Sequence, residues 1–311
     1  MSSRGPRVVA VVVTWNRREL LREALGAVTG QSAPPAAVVV VDNASCDGTP
    51  DMVASEFPDA DLVVLGRNTG GAGGFAAGLD RALRRHDPEL VWLLDDDTVP
   101  TADALSVLVA AAGAYAAQSR GAAPSLVASR AVWTDGRDHP MNTPRTRPWV
   151  GREERAIAAH VACVPIRSAS FVSVLVAADA ARASGLPLAD YFLWNDDFEY
   201  STRLLRGRVG LYCPDSVVVH KTRTFGSTDV DPGERFYFEV RNKVWTFTRS
   251  RGLSLPEKLL YGGSTLRRWV RTYAASADRA TLRRALRRGL ADGARTAPRP
   301  TTAVLADAGA R

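Results

Sequence analysis

Cysteine is scarce in this sequence of 311 residues, which contains three. Cys46, Cys163 and Cys213 are odd in number and widely spaced, so neither a disulfide framework nor a cysteine zinc cluster can be recognised. This pattern indicates a reducing compartment, and we expect a cytoplasmic protein.

Long hydrophobic runs are also missing. The longest uncharged stretch, residues 104–119, falls short of the roughly 20 apolar residues that cross a bilayer. The apolar run at residues 8–13 directly follows Arg7 and is far too short for the core of a secretory signal. We therefore expect neither a secretory signal nor an integral membrane protein.

Acidic residues are few in the last third of the chain. From Arg203 to the end there are 22 basic and nine acidic residues, whereas the whole chain has 40 basic and 33 acidic residues. Three of the 40 basic residues are lysines, which we interpret as a compositional bias. The C-terminal part is therefore the basic part of the chain. As a separate expectation, we predict no nucleic-acid partner.

Short β-branched runs alternate with amphipathic stretches over the first hundred residues. We predict strands at residues 8–13, 38–41, 61–65 and 90–94, and helices at residues 19–29, 49–57 and 73–84. Apolar strands separated by helices predict an α/β fold with a doubly wound, mostly parallel sheet. Ligands of such sheets bind beyond the carboxyl ends of the strands, where polar residues follow each of these strands.

The rest of the chain is less regular. Residues 134–160 contain three prolines, and we predict a long loop there. We predict strands at residues 171–177 and 210–220, a helix at residues 196–206, and helices from residue 235 onward. The expected division is an α/β domain at residues 1–225, a basic helical extension at residues 226–297 and a disordered tail at residues 298–311.

Three consecutive carboxylates, Asp95, Asp96 and Asp97, follow the fourth predicted strand. They repel one another unless a cation neutralises them, and in an extended segment the first and third side chains point the same way. Asp95 and Asp97 are therefore candidate ligands of one Mg²⁺ or Mn²⁺ ion, with a phosphate completing its shell. The alternative is an acidic loop before a helix, where negative charge favours the helix dipole.

A glycine-rich turn at residues 68–74 opens the third predicted helix. Its glycines let backbone N–H groups approach an anion, but it matches neither a dinucleotide fingerprint nor a P-loop. A tight turn with close helix packing is the alternative. Asp42 and Asn43, which end the second strand, could bind a base or ribose, or else cap a turn.

A second acidic group, the acid pair Asp196 and Asp197, begins a predicted helix after an aromatic run. Free N–H groups of the first turn would keep Asp197 ionised, which suits a general base that accepts a hydroxyl proton. The alternative is a capped amphipathic helix. His220 ends a valine strand and is a candidate third metal ligand, although a lone histidine is more often structural.

Five motifs in this order resemble the inverting nucleotide-sugar glycosyltransferases of family 2, which have the A-type glycosyltransferase fold. The motifs are VVVTWN at 11–16, VDN at 41–43, NTGGAGG at 68–74, DDD at 95–97, and DDFE at 196–199 followed by His220. Together with RFYFEVRN at 235–242, they are most like the galactofuranosyltransferases of actinobacterial arabinogalactan assembly.

The resemblance implies roles for individual residues. The implied metal ligands are Asp95, Asp97 and His220, for Mn²⁺ or Mg²⁺ on the donor diphosphate. The implied base is Asp197, with Asp196 as the next candidate. The residues implied along the sugar nucleotide are Thr14, Asn16, Asp42, Asn43, Arg67, Asn68, Gly70, Gly71, Asp95, Asp96 and Arg241, of which Thr14 and Asp42 hold the uridine. Asn195 departs from related enzymes, which often have Trp or Glu before the second acidic pair.

The implied reaction is metal-dependent sugar transfer with inversion. In the favoured interpretation, galactofuranose moves from UDP-galactofuranose to a hydroxyl of a cell-wall glycan linked to polyprenyl diphosphate. The alternatives are a rhamnosyltransferase with a dTDP donor, another sugar transferase of this fold in polysaccharide or natural-product assembly, and a nucleotide-sugar-binding module without turnover. The oligomeric state stays open.

A basic amphipathic helix is predicted at residues 281–290, with leucines on one face and arginines around the other. It could lie on an anionic membrane surface, at the cytoplasmic face, or pack its leucines on the domain. A polyprenyl-linked acceptor favours the membrane interpretation.

Overall fold

The computed structural model describes residues 5–226 and 231–309. Its strands are β1 (Val8–Thr14), β2 (Ala37–Asp42), β3 (Asp61–Val64), β4 (Leu90–Asp95), β5 (Thr98–Pro100), β6 (Leu126–Val132), β7 (Arg145–Thr146), β8 (Val164–Ser168), β9 (Ser173–Ala177) and β10 (Gly210–His220). Its helices are α1 (Arg18–Thr29), α2 (Thr49–Glu56), α3 (Gly70–Arg81), α4 (Ala104–Gln118), α5 (Arg152–His160), α6 (Ala178–Ser184), α7 (Asp196–Leu204), α8 (Phe236–Thr248), α9 (Leu255–Ala275), α10 (Arg279–Arg295) and α11 (Thr301–Asp307).

The strands form one sheet in the order β3-β2-β1-β4-β9-β6-β10-β8-β7, and β5 pairs with β10. Strands β3, β2, β1 and β4 run parallel, as the alternation of strands and helices predicts. Strand β9 is antiparallel to both of its neighbours, β4 and β6, whereas β6 and β10 are parallel. The carboxyl ends of β1, β2 and β4 therefore meet at one edge.

The sheet is buried on both faces. Successive side chains of a strand point to opposite faces, so alternate residues of β1 pack against α3 on one side and against α1 on the other. All seven residues of β1 are buried. The unbroken apolar run in the sequence follows from this double burial, which is typical of a central parallel strand.

The prediction of a long loop at residues 134–160 is wrong over its second half. Helix α5 occupies Arg152–His160, and a 3₁₀ turn at Pro140–Asn142 and strand β7 precede it. Ala158 of α5 is buried, and Arg147 forms an ion pair with Glu154 at 2.8 Å. The three prolines all precede the helix, so they interrupt regular structure only before it begins.

The prediction of a disordered tail at residues 298–311 is wrong for residues 301–307, which form α11. Val304 and Leu305 are buried in the core beside α3, and the N–H of Gly66 donates to the carbonyl of Ala308 at 2.8 Å. These tertiary contacts order a segment with little apolar periodicity of its own. Residues 310 and 311 lie outside the described residues.

Helices α8, α9 and α10 confirm the predicted helical extension. Helix α10 packs its apolar face on α8, where Leu282 and Ala285 are buried with Phe236 and Val240. Leu282 and Leu286 of the predicted membrane helix thus pack on α8, whereas Leu290 stays 43% exposed. Within residues 5–226 and 231–309, no helix is both long enough and apolar enough to cross a membrane.

Candidate active site

Polar residues at the ends of neighbouring parallel strands form the centre of the site. In the register of the sheet, Thr14 of β1 pairs with Asp42 of β2, and Val13 pairs with Asp95 of β4. Asp96 and Asp97 follow in the turn between β4 and β5. The strand register therefore assembles the predicted carboxyl-end site.

Asp95, Asp97 and His220, called here the metal group, each offer one ligand atom, and these atoms lie within 4.8 Å of one another. His220 reaches the group because β10 pairs with β5, which places His220 opposite Thr98. The buried Asp97 Oδ1 lies 3.0 Å from His220 Nε2 without hydrogen-bond geometry, and it accepts no hydrogen bond. The structure thus brings together the three residues that the resemblance implies as metal ligands.

The donor set of the metal group fits Mn²⁺ or Mg²⁺, because hard cations prefer carboxylate oxygens and Mn²⁺ also accepts imidazole. His220 Nδ1 lies 2.8 Å from Asn142 Oδ1, which assigns the ring proton to Nδ1 and leaves a lone pair on Nε2. Burial, followed by the charges of Asp97 and Asp96, raises the pKa of Asp95 well above its ordinary value. A divalent cation would relieve this repulsion and give Asp97 Oδ1 a partner.

Arg17 joins the site without having been singled out in the sequence. It lies in the loop after β1, and its Nη1 contacts Asp96 Oδ1 at 3.0 Å and Asp97 Oδ2 at 2.7 Å. Burial alone would raise the pKa of Asp97, and the Arg17 guanidinium opposes that rise by its charge and its hydrogen bond. The available signal was the basic pair Arg17 and Arg18 directly after the first strand.

Thr14, Asp42 and Asp96 lie beneath the loops that follow β1 and β2. Thr14 Oγ1 donates to Asp96 Oδ2 at 2.8 Å, and burial raises the pKa of Asp96 to about 6. Asp42 Oδ2 accepts a backbone N–H at 2.9 Å, whereas its buried Oδ1 has no partner. Asn16 Oδ1 accepts a backbone N–H of the second loop at 2.8 Å and so ties the two loops together. A hydrogen-bond donor on a ligand would satisfy the unpartnered Asp42 oxygen.

The glycine-rich turn packs closely on neighbouring backbone. Gly70 has a φ of +70°, and a Cβ there would lie 1.9 Å from the carbonyl oxygen of Phe192. The Asn43 side chain accepts the preceding backbone N–H at 2.8 Å and donates to the Gly70 carbonyl at 2.7 Å. Asn43 therefore positions the turn, and its predicted contact with the sugar nucleotide stays a prediction. Of the glycines in residues 68–74, Gly71 alone has open space where a Cβ would lie.

Three other residues predicted at the donor site form contacts within the protein. Asn68 Oδ1 accepts the N–H of Gly70 at 2.7 Å. The Arg67 guanidinium contacts Asp307, the last residue of α11, at 3.9 Å. The Arg241 guanidinium lies 4.2 Å from the ring centre of Trp245 and donates to the carbonyls of residues 190 and 191. Arg67 thus contacts α11, and Arg241 links α8 to the segment before the acid pair, while their predicted phosphate contacts stay predictions.

The acid pair begins α7, where Asp197 Oδ1 accepts the N–H of Phe198 at 2.6 Å. Burial, and then the charge of Asp197, raises the pKa of Asp196 to about 8. Burial also raises the pKa of Asp197, but this N–H and the cations Lys243 and Arg145 oppose the rise. Asp196 therefore favours the protonated form more strongly than Asp197, whose negative charge is better stabilised. When ionised, Asp196 would also raise the pKa of Asp95, because the two carboxyl groups lie near enough to repel each other.

Asn242 of α8 holds the backbone segment that precedes the acid pair. Its Nδ2 donates to the carbonyls of residues 191, 193 and 194 at 2.9, 2.9 and 2.8 Å. Trp194 and Asn195 both have a φ of +65°, a left-handed conformation that costs of order 1 to 3 kcal/mol for a residue with a side chain. Glu239 of α8 accepts from Asn195 Nδ2 at 2.6 Å. Helix α8 therefore fixes where α7 begins.

Lys243 and Arg145 are two cations that act on Asp197 and that sequence reasoning missed. Lys243 is buried, and its Nζ lies 3.8 Å from the ring centre of Phe198. Burial lowers the pKa of Lys243 to about 7 and also lowers the pKa of Arg145. Both residues come from segments distant in sequence from the acid pair, and no local signal marks them.

Comparisons with known proteins decide the family. The profile of the family described as Glycosyl transferase family 2 matches residues 9–158. Galactofuranosyltransferase GlfT1 of Mycobacterium tuberculosis (strain ATCC 25618 / H37Rv) is 30% identical over 277 residues, which cover 82% of this chain and 87% of that protein. This chain belongs to glycosyltransferase family 2. The prediction that the protein is an enzyme, a glycosyltransferase, is thereby confirmed.

Solved structures confirm the fold of this glycosyltransferase. The mannosyltransferase PcManGT from Pyrobaculum calidifontis, in complex with GDP-Man and Mn²⁺, has a TM-score of 0.54 and 22% identity, covering 99% of this chain and 81% of that one. S. aureus TarS 1–349 in complex with UDP-GlcNAc has a TM-score of 0.62 and 17% identity, covering 96% of this chain and 84% of that one. The predicted α/β fold with a mostly parallel sheet and C-terminal helices is confirmed.

Proposed function

We propose that this glycosyltransferase moves galactofuranose from UDP-galactofuranose to a hydroxyl of a lipid-linked cell-wall glycan, with a divalent metal and with inversion. The observation that carries the proposal is the metal group beside the acid pair, in a chain 30% identical to the galactofuranosyltransferase GlfT1. The finer choice of sugar rests on that relative's activity.

The donor half of the site uses residues at the strand ends. Asp95, Asp97 and His220 would hold Mn²⁺ or Mg²⁺, which supplies charge stabilisation to the departing diphosphate when bound. Arg17 contacts Asp96 and Asp97 and is the cation best placed to pair with the same phosphates. The unpartnered Asp42 Oδ1 would accept a hydrogen bond from the N–H of a pyrimidine base, which UDP and dTDP both provide.

The acceptor half of the site uses the acid pair. Asp197 would accept the proton of the acceptor hydroxyl as its oxygen attacks the anomeric carbon from the face opposite the diphosphate. The N–H of Phe198 and the cations Lys243 and Arg145 favour the ionised form of Asp197. Asp196 is the poorer base because burial and the charge of Asp197 favour its protonated form.

The acceptor that we propose is a glycan on polyprenyl diphosphate at the cytoplasmic face of the membrane. The basic C-terminal part, with 22 basic against nine acidic residues from Arg203 onward, suits both a diphosphate and an anionic lipid surface. The protein would then be a peripheral enzyme that reaches its acceptor at the membrane.

A donor panel tests the proposed function. The purified protein is incubated with Mn²⁺, a short-chain prenyl-diphosphate glycan, and in turn UDP-galactofuranose, dTDP-rhamnose, UDP-GlcNAc and GDP-mannose. Product mass and nucleotide release are measured. We expect transfer from UDP-galactofuranose at least tenfold faster than from the other donors, and its loss in EDTA. Faster transfer from dTDP-rhamnose would replace the proposal with the rhamnosyltransferase alternative, and absence of nucleotide release from every donor would favour the binding module.

A further inference from the structure

Helix α9 carries a stripe of exposed apolar side chains. Leu255, Leu259, Leu266 and Val270 are 71%, 72%, 61% and 61% exposed. Their separations of 4, 7 and 4 residues place them on one face of a helix with about 3.6 residues per turn. The stripe, defined by these four residues, extends for about 22 Å at roughly 1.5 Å per residue. Scattered exposed leucines need no explanation, but an aligned row of this length indicates an interaction surface.

The opposite face of α9 is firmly packed, so the stripe belongs to an ordered helix. Ser254 and Glu257 form a capping box at its N-terminus. The buried Arg167 forms an ion pair with Glu257 at 2.5 Å. Tyr261 packs edge-on against Phe198, with ring centres 5.5 Å apart. The inward face of α9 thus contacts α7, the helix that the acid pair begins.

The surroundings of the stripe are basic. Lys258, Arg267 and Arg271 lie on α9, and its one acidic residue, Glu257, is neutralised in the ion pair with Arg167. The adjoining α10 has six arginines and one acidic residue, Asp292. An occupant with a negative surface complements these charges, whereas a second copy of this helix would bring like charges together.

We propose that the stripe of α9 and its flanking cations dock on the surface of a bilayer that contains anionic phospholipid. The apolar side chains enter the boundary between headgroups and acyl chains, and the cations contact lipid phosphates, as in interfacial amphipathic helices. Because the inward face of α9 contacts α7, docking places the acid pair near the surface where a lipid-linked hydroxyl is presented. The proposal extends the proposed function and does not require the galactofuranose assignment.

Vesicle flotation of the full-length protein tests this surface without donor or acceptor. Vesicles contain about 30% phosphatidylglycerol in phosphatidylcholine, or phosphatidylcholine alone. The test variant is Leu259→Ser with Leu266→Ser. Its matched control is Val64→Ser with Val164→Ser, which removes two exposed apolar residues from β3 and β8. Circular dichroism and Mn²⁺-dependent UDP release from a water-soluble donor and acceptor verify that each variant is folded.

We expect the parent and the control variant to float with anionic vesicles at low salt, and to bind neutral vesicles much more weakly. The stripe variant should lose at least tenfold in partition coefficient, because burial of one leucine alone is worth more than a factor of ten. Retention of binding by the stripe variant would overturn the proposal, as would absence of binding by the parent. If light scattering shows a dimer for the parent protein and a monomer for the stripe variant, the stripe contacts a second copy of the chain and the proposal is wrong. Vesicle binding tests the docking surface, and sugar transfer from the donor panel tests the proposed function. Because the two are measured separately, either proposal can fail while the other stands.

Discussion

Replacing Asp197 with asparagine removes the proton-accepting group and leaves the side-chain shape nearly unchanged. Asp197 Oδ1 accepts the N–H of Phe198 at 2.6 Å, and an amide oxygen can keep this bond. Donor affinity should survive, because the metal group comes from β4, the turn after it and β10, whereas Asp197 belongs to α7. We expect kcat to fall about 10²- to 10⁴-fold, which corresponds to about 3 to 5 kcal/mol at roughly 1.36 kcal/mol per tenfold change.

Asp196→Asn is the matched control for this substitution, since it makes the same chemical change one residue earlier. Because the pKa of Asp196 is raised to about 8, an amide resembles its protonated form, and kcat near pH 7 should stay within about tenfold of the parent value. Nucleotide release at saturating donor and acceptor gives kcat for both variants. If Asp197→Asn keeps more than a tenth of the parent kcat, or if Asp196→Asn loses more activity than Asp197→Asn, Asp197 is not the base.

Three further predictions concern stability. Folding raises the pKa of Asp196 from 3.8 to about 8, so the folded protein holds a proton that the unfolded chain releases, and stability falls as the pH rises through this window. In calorimetry, Asp196→Asn should therefore show a smaller fall in Tm between pH 6 and pH 8.5 than the parent, and equal falls would refute the raised pKa. Gly70→Ala should lower the free energy of unfolding in urea by at least about 2 kcal/mol, because its Cβ meets the Phe192 carbonyl at 1.9 Å, whereas Gly71→Ala, in open space, should change it by no more than about 1 kcal/mol. Similar losses in both would show that the turn is not packed as described. Asn242→Ala removes two N–H donors that three carbonyls share and should cost about 2 kcal/mol in the same urea assay, at about 1 kcal/mol per donor, so a loss below about 1 kcal/mol would contradict its role.

The central sheet was predictable because its strands carry their own signal. Residues 8–13 form an unbroken apolar run, and the structure buries every residue of β1. The ends of such strands must meet at one edge when the strands are parallel, so Asp42 and Asp95 could be placed together without knowledge of the side chains around them.

The supporting contacts were not predictable, because they join residues far apart in sequence. Asn142, which orients His220, lies 78 positions earlier in a stretch predicted as loop. Arg17 is 80 positions from Asp97, and Asn242 is 48 positions from the Trp194 carbonyl that it holds. Helix α11 was missed for the same reason, since its order depends on contacts with the core beside α3.

Calorimetric titration of UDP and of dTDP, each in Mn²⁺ and in EDTA, tests the claim that the metal group serves the donor diphosphate. For the parent protein, at least one nucleotide should bind tenfold or more tightly in Mn²⁺ than in EDTA. In Asp97→Ala, shown to be folded by circular dichroism, this difference should vanish, because the buried Asp97 Oδ1 and its charge are lost from the group. Equal affinity in Mn²⁺ and EDTA for the parent, or an undiminished Mn²⁺ effect in Asp97→Ala, would contradict the account.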